Sequence, residues 1–311
     1  IIYQMKKILK ILAVVIVVVL AYMHSPSKSI EKLQEKYPSK YSKFIPIQGM
    51  NAHYHDVGEG MPIILIHGTS SSLQTWGKWE AELSKKYRVL SIDMPGGGLT
   101  GPHPNEDYSI DAYLSFLDDF TMKLGLDSFY VAGNSLGGKT AWKYAARNKK
   151  IKKLILVDPS GFYVEDKKPP FVFQLGQKKA LSRLVERLNI KPFIKKSLKE
   201  VYFDDSQVTA SLVTRYNDFL RVKGNRKAFF QKVNSIQKSE EKELHQISIP
   251  TLIQWGKQDN WIPIELADIF TANIANHKFI VYNECGHVPQ EEVAAESVTD
   301  AIMFLENKLS E

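Results

Sequence analysis

A single cysteine, Cys285, stands among 311 residues. One thiol closes no intrachain disulfide and builds no cysteine-rich zinc or iron-sulfur site, so the chemistry of the chain rests on other side chains. There is no repeat at a solenoid or propeller period and no low-complexity tract, which excludes quasi-one-dimensional architectures. Acidic residues are in slight deficit: 41 Lys and Arg against 34 Asp and Glu leave a net charge of +7. No recognised nucleic-acid-binding motif accompanies that charge, and nucleic acid is not an expected partner. What is present is an ordinary globular composition, 44% hydrophobic and 24% charged, enough for one large core or two modest domains.

Long hydrophobic runs are also scarce. The exception is MKKILKILAVVIVVVLAYMHS, apolar without interruption from Ile11 to Met23. Residues 1–24 read as a targeting segment outside the fold. Counted from Ile8, a helix there rises about 24 Å at ~1.5 Å per residue, a little short of a ~30 Å hydrocarbon core, so lysine snorkelling or local thinning completes the span. Small residues in an A-x-A pattern fit poorly near its end, which favours an uncleaved anchor over a cleaved signal peptide. Lys6, Lys7 and Lys10 then stay cytoplasmic, and the globular part lies outside, periplasmic or on the cell surface, or is secreted if the segment is cleaved.

A polar, lysine-rich connector follows over residues 25–43. FIPIQG and NAHYHDVG flank a Gly-Met-Asn turn and read as a hairpin. PIILIHG is a continuous apolar run of the kind buried in a parallel sheet. Helices near 76–86, 110–124 and from Leu136 then alternate with strands YRVLSID, FYVAG and KKLILVD. The fold class is α/β, with a mostly parallel sheet covered by helices on both faces. Residues 44–166 and 246–311 form this core, and the strand rhythm resumes at PTLIQWG and HKFIVYN. Between them, residues 167–245 carry helical periodicity alone and read as an inserted helical cap. This stretch holds 18 Lys and Arg against 8 Asp and Glu, an excess larger than that of the whole chain.

The stretch GNSLGGKT, residues 133–140, matches two motifs. As G-x-x-x-x-G-K-[ST] it is a P-loop that would hold nucleotide phosphates with Lys139 and Thr140, helped by Asp158 at the end of LILVD. As G-x-S-x-G it is a nucleophile elbow presenting Ser135. A serine nucleophile needs a base to take its proton and a carboxylate to orient that base. Asp259 follows one apolar strand and His287 follows the last, giving the chain order Ser135, Asp259, His287 expected of hydrolases on such a sheet. The P-loop reading leaves Asp259, His287 and the insertion without a role. Asp158 stands as the alternative acid.

These residues, with HG at His67 and Gly68, DMPGGG at Asp93–Gly98 and GHVPQEE from Gly286, make the chain resemble the α/β-hydrolase superfamily from Phe44 to Leu305. The branch it is similar to is the cap-bearing one of esterases, lipases, carbon-carbon bond hydrolases and haloalkane dehalogenases. The resemblance implies an eight-stranded-type sheet, no cofactor or metal, and an oxyanion hole from the backbone N–H groups of Leu136 and Thr69, with Ser70 as the fallback. HGTSSS departs from the glycine-rich versions of that loop. A Ser nucleophile, where dehalogenases and epoxide hydrolases use Asp, points away from those two chemistries.

The expected activity is hydrolysis of a small-molecule or lipid carboxylic ester through an acyl-enzyme on Ser135. The alternative is hydrolytic cleavage of a carbon-carbon bond in a vinylogous diketone with the same residues, and the alternative of another class is the nucleotide-binding P-loop. His53 and His55 share a strand face that reads as solvated, without a third metal ligand. Trp76, Trp79, Trp261, Phe162, Phe171 and Phe173 are core residues or acyl-pocket candidates, and Cys285 is a small buried residue. KKALSRLVERLNIKPFIKKSLK alternates cations with apolar residues at helical spacing, which raises contact of the basic cap with anionic lipid as a partner.

Overall fold

In the computed structural model, which describes residues 2–164, 174, 188–235 and 239–309, the strands are β1 (Ser42–Ile47), β2 (Met50–Val57), β3 (Pro62–Ile66), β4 (Arg88–Ile92), β5 (Phe129–Asn134), β6 (Ile151–Val157), β7 (Thr251–Gly256) and β8 (His277–Tyr282). They form one eight-stranded sheet in the order β1-β2-β4-β3-β5-β6-β7-β8. β2 runs antiparallel to β1 and β4, and every other pairing is parallel. The hairpin turn is Gln48–Gly49, one step earlier than the Gly-Met-Asn turn expected from sequence. Both residues have positive φ, 49° and 78°, the geometry that lets a two-residue loop follow the twist of its strands.

The helices in chain order are α1 (Ile2–Met23), α2 (Ile30–Lys36), α3 (Gly77–Leu83), α4 (Ile110–Lys123), α5 (Leu136–Arg147), α6 (Lys191–Val201), α7 (Ala210–Leu220), α8 (Asn225–Asn234), α9 (Ala267–Asn273), α10 (Pro289–Glu292) and α11 (Ala294–Leu305). The apolar run of β3 is buried on both sides because successive side chains alternate between the faces. Ile64 and Ile66 join a core with Phe116 and Phe120 of α4, Trp142 of α5 and Phe270 of α9. Ile63 and Leu65 join another with Trp79 of α3 and Val298 and Phe304 of α11. Each such aliphatic side chain contributes about 1.5–3 kcal/mol on burial. Trp76, Trp79 and Phe162 are therefore core residues; Phe171 and Phe173 lie outside the described residues.

Between β6 and β7 no strand occurs among the described residues. Helices α6, α7 and α8 make a hydrophobic cluster of their own, which also takes in Val288 from the sheet side. Ile194, Leu198 and Val201, the apolar face of α6, are buried in that cluster, leaving Lys195, Lys196 and Lys199 exposed.

Helix α1 forms as the sequence suggests, but among the described residues no helix is long and apolar enough to cross a membrane. This corrects the spanning anchor. Lys6, Lys7 and Lys10 interrupt the first turns, and the uninterrupted run from Ile11 to Met23 rises only about 20 Å against a ~30 Å hydrocarbon core. The connector is not loose. Lys28 and Lys36 pair with Asp218 of α7 at 2.7 and 2.6 Å, and Leu33 is buried against Phe219 and Val222.

Candidate active site

Ser135 is the single residue between β5 and α5, with φ 57° and ψ −121°. A left-handed φ at a residue with a side chain is strained, and here it aims the serine out of a very tight strand-to-helix turn. The turn needs glycine on both sides. A Cβ on Gly133 would lie 2.2 Å from the Gly137 carbonyl oxygen, and one on Gly137 would lie 2.2 Å from that of Ile66. This geometry overturns the P-loop reading: with one residue between strand and helix, no loop remains to wrap a phosphate chain. Lys139 and Thr140 are buried within α5, and burial pulls the Lys139 pKa down to about 8.

Asp259 lies just beyond β7. Its Oδ1 accepts the N–H groups of Trp261 and Ile262 at 2.7 and 2.9 Å, and its Oδ2 accepts from His287 Nδ1 at 2.6 Å. Nδ1 therefore carries the proton, and Nε2 keeps a lone pair. Nε2 is buried without a hydrogen-bond partner, and His287 and Ser135 line the same cavity. In an unliganded site the bond from the serine hydroxyl to its base is often open and forms with substrate. Trp261 packs beside the imidazole, ring centroids 5.8 Å apart.

Sequence reasoning missed the residues that hold this histidine. Asn134 Nδ2 donates to the His287 carbonyl at 3.0 Å and to the Val157 carbonyl at 3.1 Å. The His287 N–H donates to the Val201 carbonyl of α6 at 2.7 Å. Glu291 of α10 accepts from Thr75 Oγ1 at 2.6 Å, from the hydroxyls of Tyr202 and Tyr216 at 2.9 and 2.8 Å, and from Arg215. Asn134 and Glu291 sit inside the motif segments GNSLGG and GHVPQEE, but nothing in spacing told their roles from those of their neighbours.

Thr69 and Ser70 line the same cavity as Ser135. Leu136 opens α5, so its N–H has no acceptor within the helix. His67 braces the Thr69 loop, donating from Nδ1 to the Gly68 carbonyl at 2.7 Å and accepting the Met94 N–H on Nε2 at 3.0 Å. Burial pulls its pKa down to about 4, so the ring is neutral.

Asp158, the alternative acid, ends β6 with φ 43°. It is fully buried beside Asp259 and does not hold His287, which Asp259 does. The expectation of a solvated face for His53 and His55 is also corrected. His53 is 1% exposed, between Asp93 Oδ2 at 2.7 Å and Ser42 Oγ at 2.8 Å. His55 is buried against Glu80 at 3.0 Å. Positions two apart on β2 place both rings on one face of the sheet, where Asp93 and Glu80 meet their Nδ1 atoms. Cys285 is buried as expected.

The cavity above Ser135 holds about 80 Å³ and is walled by Phe193, Ile194, Leu198, Phe229 and Trp261, among others. No lysine or arginine lines it among the described residues.

An elbow serine and a buried His–Asp pair, each delivered by the end of a strand in a largely parallel eight-stranded sheet, and an apolar cavity above them define an α/β-type hydrolase. Residues 61–294 match the alpha/beta hydrolase fold family, and the chain belongs to it. A 2-hydroxy-6-oxo-6-(2'-aminophenyl)hexa-2,4-dienoic acid hydrolase of Metapseudomonas resinovorans is 26% identical over 292 residues, 89% of this chain and 96% of its own. Monoacylglycerol lipase ABHD6 of Bos taurus is 30% identical over 241 residues, 74% of this chain and 71% of its own. Among solved structures, a membrane phospholipase A described as a novel bacterial virulence factor matches with a TM-score of 0.75 at 22% identity, covering 98% of this chain and 97% of that one. That last likeness is one of fold.

Proposed function

We propose that the protein hydrolyses carboxylic esters of apolar acyl groups, with Ser135 as nucleophile, His287 as general base and then general acid, and Asp259 as the group that orients the imidazole and stabilises its cation. Ser135 Oγ attacks the ester carbonyl while His287 Nε2 takes its proton. The developing oxyanion is held by the N–H groups of Leu136 and Thr69, such donors being worth about 3 kcal/mol each. His287 returns the proton to the leaving alcohol. Water activated by the same nitrogen then releases the acid and frees Ser135. The helical segment between β6 and β7 serves as the cap that walls the acyl site.

The observation that carries this reading is the cavity lining. Among the described residues the wall is narrow and apolar and carries no cation, which suits an acyl chain. The relative from Metapseudomonas resinovorans is named for a dienoic acid, whose carboxylate would lie unpaired against that wall. The same relative favours carbon-carbon hydrolysis as the second reading. A series of nitrophenyl esters of lengthening acyl chain, run beside a dienoic acid substrate, separates the two. Turnover of the esters supports the first, and turnover of the diketone acid alone would replace it.

For location, we propose that α1 attaches the protein to a bilayer surface by inserting its apolar end without spanning. Val14, Val15, Val17 and Val18 are each more than half exposed, and burying such side chains in lipid releases about 25 cal/mol per Å². The lysines of α6 would add electrostatic attraction to anionic headgroups.

A further inference from the structure

Two carboxyl groups and one imidazole lie within 4.8 Å of one another at the centre of the site: Asp158, Asp259 and His287. Asp259 is fully provided for as an anion, taking two backbone N–H groups on Oδ1 and the His287 proton on Oδ2. Asp158 is not. Its Oδ1 accepts only the Gly256 N–H at 3.0 Å, and its Oδ2 is buried with no partner at all. A buried oxygen in that condition is expensive as an acceptor, and becomes satisfied if it carries a proton to give away. The groups that face it are Asp259 beyond β7, Cys285 and His287 beyond β8, and Glu292 of α10. None of these is a permanent cation, so a second full negative charge beside Asp259 would be uncompensated.

We propose that Asp158 is the protonated member of a carboxyl–carboxylate pair and donates its hydroxyl hydrogen to Asp259, acting as a positioning residue for the His287–Asp259 couple. Burial, and next the charge of Asp259, hold the Asp158 carboxyl well above the usual carboxylate range, in keeping with the pair sharing one proton. The extra donor draws negative charge from Asp259, so a cation forming on His287 is stabilised less than it would be by Asp259 alone. The strained φ of Asp158 is the backbone form that turns this carboxyl inward at the end of β6.

This inference rests on the roles proposed for Ser135, His287 and Asp259, and its test is chosen to be independent of substrate. The rate at which a fluorophosphonate labels Ser135 is measured against pH in the wild type, Asp158→Ala and Asp158→Asn. If the wild type is not labelled, the site reading itself fails. Given labelling, Asp158→Ala should move the acid limb to higher pH, so that on the limb it reacts about tenfold more slowly than wild type at equal pH. Asp158→Asn, whose amide keeps a donor, should hold the limb in place. A limb moving to lower pH in Asp158→Ala would mean that an ionised carboxylate had been removed, and would overturn the proposal, as would an unmoved limb. Should Asp158→Ala fail to fold, the infrared difference between wild type and Asp158→Asn at neutral pH decides. The carbonyl band of a neutral carboxylic acid supports the shared proton, and its absence refutes it.

Discussion

The backbone N–H of His287 donates to the carbonyl of Val201 at 2.7 Å, so the last residue of α6 is bonded directly to the histidine of the site. Four residues on, Glu291 repeats the connection, tying Thr75 of the core to Tyr202, Arg215 and Tyr216 of the helical segment. A shift of α6 or α7 is therefore a shift of His287. Glu291→Ala removes the acceptor shared by all four and leaves the Arg215 guanidinium largely buried without its counter-charge. Losing one partner of such a pair costs about 3–5 kcal/mol. Urea unfolding should show that loss, and kcat/KM should fall even at temperatures where the variant stays folded. An unchanged unfolding midpoint would remove Glu291 from this role.

Labelling of Ser135 by a fluorophosphonate should be abolished in Ser135→Ala and reduced by about 10⁴-fold or more in His287→Ala. Ser135→Ala is close to neutral for the fold, since its side chain supports no core cluster. His287→Ala leaves the buried Asp259 carboxylate without the His287 donor and should cost about 1–3 kcal/mol of stability, so its folding is checked by urea unfolding. Ester turnover should fall in parallel. A folded His287→Ala variant that labels at the wild-type rate would assign the base elsewhere.

The sheet could be read from the sequence because continuous apolar runs, as in PIILI and LILVD, and strand-helix alternation are local properties. The pair Asp259 and His287 was readable because hydrolases on this sheet place such residues after particular strands. Asn134, Glu291 and Val201 were not, since their roles depend on contacts across the structure: Val201 acts through a backbone carbonyl, which side-chain identity does not encode. His53 and His55 were misread for a similar reason. Their strand looks half-polar, and only the arrival of Asp93 and Glu80 from distant positions makes burial tolerable. The N-terminal run was read as a span by counting from Ile8 across Lys10 and letting snorkelling make up the shortfall, whereas among the described residues no helix is long and apolar enough to cross a membrane.

Lys232 of α8 supplies a pH test. It is buried, donates to the Gly96 carbonyl at 2.8 Å, and is pulled down to about 7 by burial, against which Asp93 acts weakly. A base with a depressed folded pKa is protonated more in the unfolded chain, so its contribution is present at high pH and is lost as pH falls from about 10.4 through about 7. Stability measured by urea unfolding should rise with pH across that window, and Lys232→Met should flatten the rise. A slope equal in both proteins would show that Lys232 is not the group responsible.

Surface attachment through α1 is testable on the whole chain. Replacing Val14, Val15, Val17 and Val18 by Ser removes the exposed apolar side chains while leaving the helix away from every core cluster. The unaltered protein should co-sediment with phospholipid vesicles and the variant should stay in the supernatant, with ester turnover in solution unchanged. Equal sedimentation would place attachment on another surface.

Chain-length preference should follow the cavity wall. Ser197 lines the cavity from α6 and is half-buried, so a larger side chain there projects into space that the acyl group needs. Ser197→Phe fills part of about 80 Å³ without removing any group of the reacting centre. Each methylene of a well-seated chain is worth about 0.8 kcal/mol, roughly a fourfold effect, so blocking the far end should cost long esters progressively more than short ones. In a nitrophenyl ester series the variant should keep kcat/KM for acetate within a few-fold of wild type and lose one to two orders of magnitude for chains that reach the blocked wall. A uniform loss across the series would mean that the cavity does not hold the acyl chain, and that the substrate enters by another route.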